Sequence, residues 1–105
     1  MINLVAEGVI EQSSNETIAY GIDCTDYPSD PVSVGSATLY DITTPDAPTD
    51  VSTASLSGSA TVSGAVITTP AVTALNQGKR YRLRVVYTGV DANIYEVIVD
   101  IDCIV

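Results

Sequence analysis

The last quarter of the chain constrains the fold more than any other stretch. Tyr81, Leu83, Val85 and Tyr87 alternate with Arg80, Arg82, Arg84 and Val86; further on, Tyr95, Val97, Val99, Ile101 and Cys103 alternate with Glu96, Ile98, Asp100 and Asp102. A period of two is expected of a strand that lays one face on a core. If the intervening Gly89-Val90-Asp91-Ala92-Asn93 forms a turn centred on Asp91, Tyr87 falls opposite Tyr95, Val85 opposite Val97, Leu83 opposite Val99 and Tyr81 opposite Ile101. The outer face then pairs Arg82 with Asp100 and Arg80 with Asp102, each pair adding about 0.2 to 1 kcal/mol. Apolar and charged patterns thus agree on one register, and a slip of one residue would bury arginines. The spacing predicts a β-hairpin.

Upstream, Ile18, Tyr20, Ile22 and Cys24 alternate with Ala19, Gly21, Asp23 and Thr25, a second strand, which Gln12-Ser13-Ser14-Asn15-Glu16 joins as a turn to an earlier strand over residues 4–11. Pro28 and Pro31 among Asp and Ser residues read as a loop, followed by a strand over residues 34–42 and an exposed loop over residues 43–50. Residues 51–73 are rich in Ser, Thr, Ala and Val; Val62, Val66, Ile67, Val72 and Leu75 argue for two or three short strands rather than a solvated tail. No segment has the apolar spacing and caps of an amphipathic helix. About seven short strands without a helix predict an all-β fold, a small antiparallel immunoglobulin-like β-sandwich, with residues 1–105 as a single domain. In Leu75-Asn76-Gln77-Gly78-Lys79-Arg80-Tyr81, Tyr81 stands where the corner tyrosine of such sandwiches opens the penultimate strand.

Charge bears on partners. With 13 acids against 4 bases the net charge is −9, which argues against nucleic acid, whose phosphates need lysines and arginines, and against anionic membrane surfaces. No apolar run reaches transmembrane length, and residues 1–7 lack the basic start of a secretory signal, so synthesis in the cytoplasm is expected. The chain has no histidine, tryptophan or phenylalanine, hence neither the commonest general base and metal ligand nor the strongest aromatic platform. Cys24, Cys103 and the serines would have only Lys79 or an acid to activate them, and no nucleophile or phosphate-loop motif occurs, so no enzyme and no cofactor is expected.

The remaining candidates have bland readings beside the sharp ones. Asp23, Asp26 and Asp30 crowd one loop and would suit calcium, but the EF-hand pattern is absent and solvated loop acids are the default. Asp100 and Asp102 form an Asp-x-Asp whose expected neighbours, Arg82 and Arg80, favour charge pairing over metal. Cys24 and Cys103 read as buried small residues; bonded, they would close a loop of roughly 80 residues worth about 4 to 5 kcal/mol, which a reducing site of synthesis argues against. Asn15-Glu16-Thr17 fits the N-glycosylation pattern by chance. The expected interface is the outward side of the hairpin, where Val86, Ile94, Ile98 and Ile104 beside Arg84 put apolar groups on a face that should be polar. Unpaired edge strands offer sheet extension as well.

Three stretches carry a likeness: Glu16-Thr17-Ile18-Ala19-Tyr20-Gly21-Ile22-Asp23, Gly35-Ser36-Ala37-Thr38, and Leu75-Asn76-Gln77-Gly78-Lys79-Arg80-Tyr81-Arg82-Leu83-Arg84-Val85. In them the chain resembles small structural proteins of tailed bacteriophages, the fibre-tail adaptors, in which tryptophan commonly takes the place of Cys24. The resemblance implies a non-catalytic immunoglobulin-like virion component present in multiple symmetric copies, with tail, fibre or capsid proteins as partners. A capsid decoration protein cementing neighbouring capsomers, and a calcium-dependent ligand-binding or adhesion module using residues 23–30, are the alternatives.

Overall fold

Runs of β-branched and aromatic residues punctuated by Pro, Gly, Asp and Ser form short strands in the computed structural model, which describes residues 3–5, 8–25, 29–44 and 46–104. In chain order they are β1 (Asn3–Val5), β2 (Gly8–Glu11), β3 (Tyr20–Asp23), β4 (Pro31–Asp41), β5 (Thr49–Asp50), β6 (Leu56–Ser57), β7 (Thr61–Ser63), β8 (Val66–Thr68), β9 (Ala71–Val72), β10 (Arg80–Gly89) and β11 (Ile94–Asp102). One helical turn, α1 (Ser52–Ser55), stands between β5 and β6.

One sheet has the order β1-β3-β8-β7 and the other β2-β11-β10-β4-β5, with β6 and β9 as a separate ribbon. The protein is a small all-β sandwich of immunoglobulin topology. β3, β8 and β7 take the B, E and D places, β4, β10 and β11 the C, F and G places, and β5 extends the second sheet beside C as in variable-type domains. The ladders are antiparallel except at the beginning of the chain, where β1 runs parallel to β3 and β2 parallel to β11. Both sheets feed one core, with Tyr20, Ile22, Ile67 and Val72 from one side meeting Leu39, Tyr81, Leu83, Val85, Val97, Val99 and Ile101 from the other.

The hairpin has the register that its alternation specifies: Tyr87 lies opposite Tyr95, Val85 opposite Val97, Leu83 opposite Val99 and Tyr81 opposite Ile101. Tyr87 and Tyr95 stack with ring centroids 5.4 Å apart. Tyr81 is the corner tyrosine, since its hydroxyl accepts the Asn76 N–H at 2.9 Å. Gly78 holds the turn between them at φ +82°, a conformation that glycine adopts without steric cost. Two residues past that tyrosine, where disulfide-bonded sandwiches carry their second cysteine, stands the buried Leu83. The two cysteines are instead separate, unbonded and buried.

Four expectations change. The strand expected over residues 4–11 is two strands serving opposite sheets, which with the two-residue pieces raises the count from about seven to eleven among the described residues. The strand expected over residues 34–42 begins earlier, at Pro31, since the first residue of a strand is a place proline tolerates. Residues 51–73 contain four short strands rather than two or three. A helical turn occurs where none was expected, without a side-chain cap but anchored by the Ser52 hydroxyl, which accepts the Leu39 N–H at 2.9 Å.

Candidate interface on the outer face of the larger sheet

Alternation along β10 turns Arg80, Arg82, Arg84 and Val86 outward, and along β11 it does the same for Glu96, Ile98, Asp100 and Asp102. Arg80 donates to Asp102 through Nε at 2.6 Å and Nη2 at 3.0 Å. Arg82 grips Asp100 in the same two-pronged way, at 2.8 and 3.3 Å. Arg84 reaches diagonally to Glu96, and Lys79 Nζ meets Asp41 Oδ2 at 3.1 Å. Each guanidinium is pushed further up in pKa by its carboxylate hydrogen bond. Burial lifts the Asp41 carboxyl, but hydrogen bonds from Thr43 and Lys79 outweigh it and hold the group below the usual range. These pairs are half-exposed and screened by solvent, so each adds little to stability.

Their placement matters more than their strength. Three of the four bases, Arg80, Arg82 and Arg84, lie on this face, each against an acid of the same face, while Lys79 meets Asp41 at the end of the sheet, where Asp41 has the inward parity of Leu39. The nine remaining acids of the 13 carry the net charge of −9. The centre of the outer face is therefore electrically balanced while the rest of the surface is acidic.

Cross-strand register arranges the face in rows. The central one runs Val9, Asp100, Arg82, Tyr40 across β2, β11, β10 and β4. Val9 is 56% exposed, and the Arg84 guanidinium lies over the Tyr40 ring, 5.9 Å from its centroid, a cation–π contact. Beside Tyr40 is an open cleft of about 510 Å³ in which Ile42 and Pro48 face the stems of Arg80, Arg82 and Arg84. Among the expected interface residues, Arg84, Val86 and Ile98 lie together mid-sheet, Arg84 opposite Ile98 and Val86 opposite Glu96. Ile94 is 73% exposed at the turn end of β11, and Ile104 is 52% exposed beyond its other end. With about 3.3 Å per residue they are some 33 Å apart, so the five residues form a line with apolar and charged positions interleaved rather than one apolar patch. Val9, Tyr40, Ile42 and Pro48 belong to the same face and were not singled out from sequence; the outward parity of Val9, next to the core-facing Ile10, was the available signal.

The other candidates resolve simply. Asp26 lies outside the described residues. The Asp23 carboxylate accepts the Thr25 hydroxyl at 2.5 Å and the Thr25 N–H at 2.9 Å, which lowers its pKa, and Asp30 is exposed. No cluster of three metal-ligating side chains occurs among the described residues. Burial pushes both thiols up in pKa, Cys24 and Cys103 alike, away from the thiolate that nucleophilic chemistry needs. Asn15 is exposed. No described helix is long and apolar enough to cross a membrane. The chain matches no known family, no curated protein and no solved structure.

Proposed function

We propose that the chain is a non-enzymatic structural component of a tailed bacteriophage virion, of the fibre-tail adaptor kind, acting by assembly with other virion proteins. The observation that supports the reading most is that the three stretches of resemblance form one connected unit. Residues 35–38 lie on β4 directly beside β10, Ala37 opposite Val85 and Thr38 opposite Arg84, and residues 20–23 supply β3 across the core from them. The third stretch holds the corner formed by Asn76, Gly78 and Tyr81. Contacts with neighbours fall on the hairpin face around Arg84, Val86 and Ile98, on the exposed Ile94 and Ile104, and on the sheet edges at β5 and β7, where an added strand can pair.

The test is quantitative mass spectrometry of purified phage particles from a lysate in which this gene is expressed, with tail and capsid fractions separated. A handful of copies in the tail fraction supports the adaptor reading. Hundreds of copies on the capsid would replace it with decoration, and absence from both fractions would refute a virion role.

A further inference from the structure

The charge pattern of the outer face is antisymmetric. β10 carries the arginines and the neighbouring β11 the acids, and the central row reads apolar, negative, positive, aromatic: Val9, Asp100, Arg82, Tyr40. A twofold axis lying parallel to the strands, between β10 and β11, brings this row against its own reverse. Asp100 then meets Arg82 of a second copy, Arg82 meets its Asp100, and Val9 enters the cleft beside its Tyr40. The next row repeats the central charge pair with Asp102 and Arg80, flanked by Glu11 and Ile42. Toward the turn, Ile98 of one copy covers the aliphatic stem of Arg84 from the other. An axis across the strands would instead set arginine against arginine, so the pattern selects one symmetry.

We propose that this face is the interface of a twofold homodimer, its occupant a second copy of the chain. Charge complementarity is the first support. The arginines and acids of β10 and β11 at the centre of this face each bear their own counterion, with Glu11 and Asp50, which have no ion pair among the described residues, only at its two edges. Over the rest of the surface unpaired acids make two copies repel. Area is the second. About this axis β10 lies against β11 over nine rows and β2 against β4 over four, so about 26 residues of each copy are covered, which at ~3.3 Å rise and ~4.8 Å spacing is roughly 400 Å² of flat face before side-chain relief is added. That is the size of a weak, concentration-dependent contact, below the about 800 Å² that a standard interface takes from each partner. The proposal rests on the register of this face and stands or falls independently of the virion reading.

Sedimentation velocity of the purified chain from about 1 to 200 μM, at moderate salt, with Arg82→Glu and Asp100→Arg, tests it. The parent is expected to dimerise, and each substitution alone to weaken the dimer by roughly 100-fold, because it sets like charges opposite each other twice. Mixing the two variants in equal amounts restores opposite charges at both contacts and is expected to recover a heterodimer. Val9→Glu, at an exposed position without an ion pair to lose, is expected to weaken the dimer with an unchanged circular dichroism spectrum. A parent that stays monomeric over this range, or folded variants whose mixture fails to recover association, overturns the proposal.

Discussion

Gln12 is the polar residue on which the stability of the sandwich depends most. It follows β2, is 1% exposed, and has every side-chain contact internal. Its Nε2 donates to Val72 O at 2.8 Å and Glu16 O at 3.1 Å, while its Oε1 accepts the Tyr20 hydroxyl at 2.5 Å. It thereby fastens the end of the strand that presents Val9 to both the following turn and β9. Replacing it by leucine removes all three bonds. The Val72 carbonyl keeps the Ile18 N–H at 3.0 Å, and the exposed Glu16 carbonyl finds water, so those two losses cost about 0.5 to 1 kcal/mol each. Tyr20 is 4% exposed and its hydroxyl is stranded, at about 1 to 3 kcal/mol. Burial of the leucine returns about 1 to 2 kcal/mol. The expected net loss is about 2 kcal/mol, equivalent to a fall in Tm of about 10 °C for a domain of this size. A double-mutant cycle isolates the cause. Tyr20→Phe alone costs about 1 kcal/mol, but in the Gln12→Leu background it costs nothing or returns up to about 1 kcal/mol, because the hydroxyl it removes is already stranded. Urea denaturation of the four proteins gives a coupling of about 1 to 2 kcal/mol on this reasoning. Additivity within about 0.4 kcal/mol would refute it.

Further expectations follow from single contacts. Tyr81→Phe takes the acceptor from the Asn76 N–H and should lower stability by about 1 kcal/mol in urea melts; no change would remove the corner from the account. Gly89→Ala would place a methyl 2.7 Å from the Ser29 Cβ and 2.8 Å from Asp91 Oδ1, and the resulting overpacking should cost about 1 to 3 kcal/mol; an unaltered Tm would contradict the close approach. Burial, and secondly the Glu16 carboxylate, raises the Tyr20 phenol from 10.0 to about 12. The folded chain holds that proton more tightly than the unfolded one, so this contribution is complete below pH 10 and falls by about 1.4 kcal/mol per unit from there to about pH 12. Tyr20→Phe should abolish that part of the alkaline loss, and identical pH profiles for the two proteins would show that the phenol is not responsible.

What could be read from the chain follows from where independent signals coincide. In the hairpin, apolar alternation and charge pairing fix the same register, so Arg82–Asp100 and Arg80–Asp102 were legible to the residue. Tyr81 was legible because Gly78 marks its turn. Residues 51–73 offered no such agreement: Ser, Thr and Ala fit either side of a strand, and α1 has no capping side chain to announce it. Gln12 was placed in a solvated turn by its polarity, since nothing local reports that Tyr20, eight residues away, and Val72, sixty away, converge on it. The line of residues expected at the interface came from the hairpin of β10 and β11 and the residue just beyond it. Tyr40, Ile42 and Val9 join that face through pairing of distant strands, which only the folded sheet supplies.

The central claim is that the outer face of the sheet β2-β11-β10-β4-β5 is where the chain meets its neighbours, and methyl NMR of the full chain over a dilution series addresses it residue by residue. The expected result is concentration-dependent shifts at the methyls of Val9, Val86 and Ile98, with Val62 and Val66 on the opposite sheet unmoved. Shifts confined to Val62 and Val66, or none at any concentration, would contradict it.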